Sequence, residues 1–109
     1  MSVPPVLEPW SREAFERARR EGRPIYLNVA ARWCHWCHVM DDTTLRDPEV
    51  ERALTAGFVA MRIDQDERPD VAERYADWGW PANIFLTADA QPLDARRGYL
   101  DKEEFLLAL

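Results

Sequence analysis

Apolar and polar positions follow two rhythms along this chain. Residues 12–21 carry Ala14, Phe15 and Ala18 at helical spacing with charges between them, which predicts a helix with one inward face. Pro24-Ile25-Tyr26-Leu27-Asn28-Val29-Ala30-Ala31 is almost unbroken in its apolar character and predicts a strand over 25–30, covered on both faces. Phe58-Val59-Ala60-Met61-Arg62-Ile63-Asp64 repeats that pattern, and Asn83-Ile84-Phe85-Leu86-Thr87 gives a third strand. Residues 38–45 contain few breakers and suit a helix, as do 48–56. Val71, Tyr75 and Trp78 at i, i+4 and i+7 predict one continuous helix after the acidic stretch 64–70.

The punctuation agrees with these spans. Ser11 is placed as an N-cap, with Trp10 and Phe15 as a hydrophobic staple, and Gly22 stands where the first helix must stop. Asp47-Pro48 is an N-cap followed by proline at the first helical position, and Gly57 closes that helix. Gly79 closes the next. Residues 88–92 read as a turn, with a short fourth strand between Leu93 and Tyr99 paired as a hairpin with the third. Asp101 and Glu104 form a capping box for a last helix with Phe105, Leu106 and Leu109 as its apolar stripe. Residues 1–9, with three prolines, are an extended lead-in. The order is α-β-α-β-α-β-β-α in a single domain over 1–109. Right-handed crossovers predict three parallel strands, and the closing hairpin adds an antiparallel edge to an α/β sheet of about four strands flanked by helices.

Composition narrows the function. The 109 residues carry a net charge of −6, and Arg19, Arg20, Arg96 and Arg97 lie scattered among acids, so neither nucleic acid nor an anionic membrane surface is an expected partner. No apolar run approaches the ~20 residues of a membrane span. Residues 1–9 have neither the basic nor the apolar region of a secretory signal, which sets cytoplasmic localisation as the expectation. In that compartment two cysteines are catalytic, redox-sensing or metal-binding rather than a structural staple.

Both cysteines and both histidines fall in Arg32-Trp33-Cys34-His35-Trp36-Cys37-His38, between the first strand and a helix. Cys34 at the helix start faces unpaired N–H groups and the positive end of the helix dipole, which favour a thiolate. Cys37 lies one turn further on, within reach for a disulfide. In C-x-x-C sites the two intervening residues, here His35 and Trp36, set the redox poise, and a protonated histidine there would stabilise the thiolate. The string C-H-W-C-H also spells a haem-attachment motif, but that chemistry needs export and a further ligand. Zinc would need a second ligand pair, which the sequence lacks. No metal and no cofactor are therefore expected, and two inert buried thiols are the plain alternative.

These motifs identify a resemblance. Trp33-Cys34-His35-Trp36-Cys37 at a strand-to-helix junction, followed by Trp80-Pro81 opening a later strand, resembles the thioredoxin superfamily, and the element order is that of a thioredoxin fold. Within it, Arg23-Pro24-Ile25, Cys34-His35-Trp36-Cys37-His38-Val39-Met40, Asp64 with Glu67-Arg68-Pro69-Asp70, and Gly79-Trp80-Pro81 resemble the thioredoxin-like domain that opens the spermatogenesis-associated, glycosidase-related proteins. The family's double glycine before Trp-Pro is here Trp78-Gly79. The resemblance implies a cis Pro81, with the Trp80 backbone offered to an extended substrate and Trp33, Trp36, Trp78 and Trp80 as an apolar rim. It also implies a thiol–disulfide oxidoreductase with Cys34 as nucleophile and Cys37 as resolving thiol. Its partners would be protein or small-molecule disulfides and dithiols, plus a reductant or oxidant protein.

Two positions stand apart. Asn28 lies six residues before Cys34, where thioredoxins place a buried acid that deprotonates the resolving cysteine, and an amide cannot act as a base. Asn28 either simply hydrogen-bonds the backbone or leaves proton relay to a water or a histidine such as His38. The loop 64–70 does not have EF-hand spacing and reads as a solvated, helix-capping segment. The rival function from another class is a non-catalytic thioredoxin-like module that binds a partner or senses redox state.

Overall fold

The computed structural model describes residues 3–109, apart from the side chains of residues 76–78, so the predicted rim position of Trp78 lies outside the described residues. Helix α1 spans Arg12–Glu21. Ser11 caps it by accepting from the Ala14 amide at 3.1 Å, and Gly22 ends it at φ +66° with its N–H on Ala18 and Arg19 carbonyls. Trp10 and Phe15 meet edge to face at 5.9 Å, as a staple requires.

Strands β2 (Ile25–Ala30) and β3 (Val59–Asp64) pair in parallel over their whole length. Helix α2 (His35–Asp42) leaves β2 directly, a 3-10 turn follows at Thr44–Arg46, and α3 (Pro48–Gly57) leads to β3. The α2 helix stops earlier than the apolar pattern suggests. Thr43 turns its hydroxyl onto the Val39 carbonyl at 2.7 Å and leaves helical φ/ψ.

Three expectations are corrected. Among the described residues the sheet has five strands rather than about four, because Glu8–Pro9 of the lead-in forms a two-residue strand β1 on the β3 edge; with β4 (Ala82–Leu86) and β5 (Pro92–Arg97) the order is β1-β3-β2-β4-β5. A proline is tolerated there because an edge strand has one unpaired side. The third long strand, β4 (Ala82–Leu86), runs antiparallel to β2, not parallel. A parallel return needs a crossover, usually a helix, that carries the chain back along the length of the sheet. The expected helix through Val71, Tyr75 and Trp78 is instead broken into α4 (Pro69–Ala72) and a 3-10 stretch, Glu73–Trp78, with Tyr75 at φ −118°, ψ 15°. The chain thus re-enters the sheet at the end it left: Asp64 pairs with Ala30, and Ala82 with Val29. Strand β5 (Pro92–Arg97) completes the antiparallel hairpin, and α5 (Lys102–Ala108) starts at the Asp101–Glu104 capping box.

Alternation along β2 divides the core. Ile25, Leu27 and Val29 pack with Ala14, Ala18, Met61 and Val71 on one face. Tyr26 packs with Met40, Leu45, Leu54, Phe85 and Phe105 on the other. No described helix is long and apolar enough to cross a membrane.

Candidate functional site

Where β2 ends, its last residues meet α2 in a small third cluster of Ala30, Ala31, Cys34 and Cys37, with Trp80 packed against it. Cys34 is the N-cap of α2. Its amide donates to the Ala31 carbonyl at 3.1 Å, and its Sγ accepts from the Cys37 amide at 3.2 Å. The two cysteines form a disulfide across a Cα separation of 5.3 Å. Both are nearly inaccessible, Cys34 at 7% exposure and Cys37 at 2%. The first sulfur thus lies at the helix N-terminus with a backbone donor aimed at it, an arrangement that favours a thiolate once the bond opens.

Aromatic side chains flank this pair. Trp33 is 65% exposed and meets Trp80 edge to face at 5.2 Å; Trp36 is 55% exposed and lies 5.5 Å from Tyr99. Trp36, Trp80, Gly98 and Tyr99 line a shallow groove of about 280 Å³. The Trp80–Pro81 peptide bond is cis. Gly98, at φ +77°, donates its amide to the Pro81 carbonyl at 2.8 Å, so the turn carrying Tyr99 is tied to the proline. His35 is exposed and meets Trp36 edge to face at 5.3 Å. His38 lies one turn on, with Nε2 2.6 Å from the Arg32 carbonyl, on the backbone that leads into Trp33.

The acidic loop supports the same segment. The Arg32 amide donates to Asp66 at 3.2 Å and the Gln65 amide to the Ala30 carbonyl at 2.8 Å. Asp64 holds the loop by accepting from the Asp66 and Glu67 amides. Among the described residues no three His, Cys, Asp or Glu side chains stand together as a metal site needs.

The strands on either side of the site, β2 and β4, carry a buried polar chain of which the sequence pointed only to Asn28. The Asn28 amide donates to the Tyr26 hydroxyl at 3.0 Å, Tyr26 donates to Asn83 Oδ1 at 2.5 Å, and Asn83 donates to the Gly98 carbonyl at 3.0 Å. Burial pushes the Tyr26 phenol far above its ordinary range, so it remains a neutral donor. Beside Asn28 in register is Arg62, ion-paired with Asp41 of α2, and both are almost fully buried. Among the described residues, Asn28 Oδ1 and Asp41 Oδ2 find no hydrogen-bond partner. The signal for this pair was an arginine inside an apolar strand, since a buried charge demands a partner.

A family model described as "Thioredox_DsbH: Protein of unknown function, DUF255" matches residues 3–106. The chain belongs to this family. It is similar to spermatogenesis-associated protein 20 of Homo sapiens, 41% identical over 92 residues, which are 77% of this chain and 12% of that protein. It is also similar to the thiol:disulfide interchange protein DsbD of Ralstonia nicotianae, 34% identical over 89% of this chain and 17% of that protein. The chain therefore spans only a small part of the curated relatives it matches. Among solved structures, a thioredoxin from Thermus thermophilus superposes with a TM-score of 0.80 at 30% identity, over 99% of this chain and 85% of that one. A structure described as DsbH oxidoreductase superposes with a TM-score of 0.72 at 21% identity, over 91% and 83%, a likeness of fold. The Thioredox_DsbH family membership, the thioredoxin fold and the Cys34–Cys37 pair together support a thiol–disulfide redox role.

Proposed function

We propose that this chain is a thiol–disulfide oxidoreductase in which Cys34 attacks and Cys37 resolves. The observation that carries the reading is the placement of Cys34 Sγ at the N-terminus of α2, with the Cys37 amide directed at it at 3.2 Å. In the reduced protein the Cys34 thiolate attacks one sulfur of a substrate disulfide. A mixed disulfide forms, and the other substrate sulfur leaves as a thiolate that takes a proton. Cys37 then loses its proton and attacks Cys34 Sγ. The substrate's second sulfur leaves as a thiol, two electrons having passed from the protein pair to the substrate. The reverse sequence oxidises a dithiol.

The remaining residues act on binding and poise. Trp33, Trp36 and Trp80, with Tyr99, present apolar surface on both sides of the disulfide to a peptide, and the Trp80 backbone beside Pro81 offers it hydrogen bonds. His35 and Trp36, between the two sulfurs, tune the potential. Disulfide- or dithiol-bearing proteins and small molecules are the partners, with a second redox protein to restore the pair.

A redox titration in glutathione buffers tests this, with the thiols trapped by alkylation and counted by mass. The expected result is a reversible two-electron transition at roughly −270 to −120 mV, the range of known C-x-x-C oxidoreductases. It should vanish in Cys34→Ser and Cys37→Ser. A pair that never closes under any poise would overturn the proposal.

A further inference from the structure

Resolution of the mixed disulfide requires a group to take the Cys37 proton, and Asn28 has no basic atom for it. The buried polar or charged side chains among the described residues are Asn28, Asp41, Thr44, Arg62 and Asn83, and Asp41 is the one carboxylate. Asp41 follows Cys37 by four residues on α2, so both side chains project from the same face of the helix, one turn apart, toward the sheet. That face is closed to water: Cys37, Met40 and Asp41 are its buried residues. One Asp41 oxygen is held by Arg62 of β3, and the other, Oδ2, is buried with no partner among the described residues. A buried carboxylate oxygen left unpaired is costly, and its position one turn from a thiol gives it a use.

We infer that Asp41 is the proton acceptor for Cys37, a part shifted from strand β2 to helix α2. This rests on the oxidoreductase reading above. The groups that face Asp41 are consistent with it. Arg62 is ion-paired with one carboxylate oxygen, Tyr26 from β2 is a neutral phenol, and Asn28 and Asn83 carry no charge. In the step itself, the Cys37 proton passes to Asp41, directly or through one water. The sulfur lone pair closes the bond to Cys34, and the substrate sulfur leaves. The proton then returns from Asp41 to solvent or to the leaving thiolate.

Ellman's reagent separates the two steps. Reduced protein releases one thionitrobenzoate as Cys34 attacks and a second as Cys37 resolves; Cys37→Ser shows only the first. In Asp41→Asn, which keeps an oxygen for Arg62, the first release should be unchanged. The second should slow by roughly 10-fold or more near neutral pH, in line with loss of a general base, and recover as pH rises. Asn28→Asp added to Asp41→Asn should restore it, because residue 28 adjoins Arg62 in register and a carboxylate would again stand beside that guanidinium. A merely structural role for Asp41, as the partner of Arg62, would also be met by that carboxylate, and it predicts instead a slow second release that does not recover as pH rises. If Asp41 acted only as a buried negative charge, its removal would favour the Cys37 thiolate and speed the second release. An unchanged or faster second phase, with wild-type protein resolving normally, overturns this inference and leaves the oxidoreductase reading standing. Wild-type protein that shows only the first release overturns both.

Discussion

The Tyr26 hydroxyl donates to Oδ1 of Asn83 at 2.5 Å from within the core, joining the strand that leads into the cysteines to the strand that begins after Pro81. The same hydroxyl accepts from Asn28 Nδ2, so one phenol bonds two buried amides. The two walls of the site, Cys34 with Trp33 on one side and Pro81 with Tyr99 on the other, thus follow strands that pair directly, Asn28 opposite Asn83, and that this hydroxyl also bridges.

Replacing Tyr26 with Phe keeps the ring contacts to Phe85 and Phe105 but leaves Asn28 and Asn83 each short of a partner. An unsatisfied buried polar group costs about 1–3 kcal/mol. Urea unfolding of Tyr26→Phe should show a loss of that order, with the slope against denaturant unchanged.

The Asp41–Arg62 pair should be strongly coupled. Arg62→Met alone strands a buried carboxylate and should cost about 3–5 kcal/mol. Asp41→Leu combined with Arg62→Met removes both charges and should regain most of that loss. A double-mutant cycle in urea that gave additive effects would contradict the burial seen for both side chains.

Trp36 is mostly exposed, so Trp36→Ala should change stability by no more than about 0.5 kcal/mol. It removes one wall of the groove shared with Trp80, Gly98 and Tyr99. The expected effect is a raised KM for peptide disulfides with apolar flanks, and little change toward a small disulfide such as oxidised glutathione. Equal losses for both substrates would assign Trp36 to redox tuning alone.

Acid should weaken the β5 edge. The hydrogen bond from Arg96 holds the Asp94 carboxyl below its usual pKa, aided by the Ala95 amide. A folded pKa below the unfolded value adds stability that is present above about pH 3.9 and is lost as pH falls through the lower folded value. Thermal melts of wild type and Asp94→Asn should differ at neutral pH and converge toward pH 2. Added salt should narrow the neutral-pH difference, because the pair is exposed.

Local chemistry alone determined a good deal. The 3.6-residue rhythm of residues 12–21, closed by Ser11 and Gly22, and the apolar run Ile25–Ala30 give elements that the structure reproduces at the same bounds. Their capping and burial patterns leave few alternatives. The two sulfurs at a strand-to-helix junction were equally legible, because C-x-x-C spacing is itself one helical turn. Only the tertiary structure decided the direction of β4, since a broken helix at Tyr75 and a crossover helix share one hydrophobic pattern. Only it paired Asp41 with Arg62 and linked Asn28, Tyr26 and Asn83. Those partners lie 21 and 57 residues apart, and hydrophobic periodicity carries no information about which polar groups meet once strands from distant parts of the chain are laid side by side.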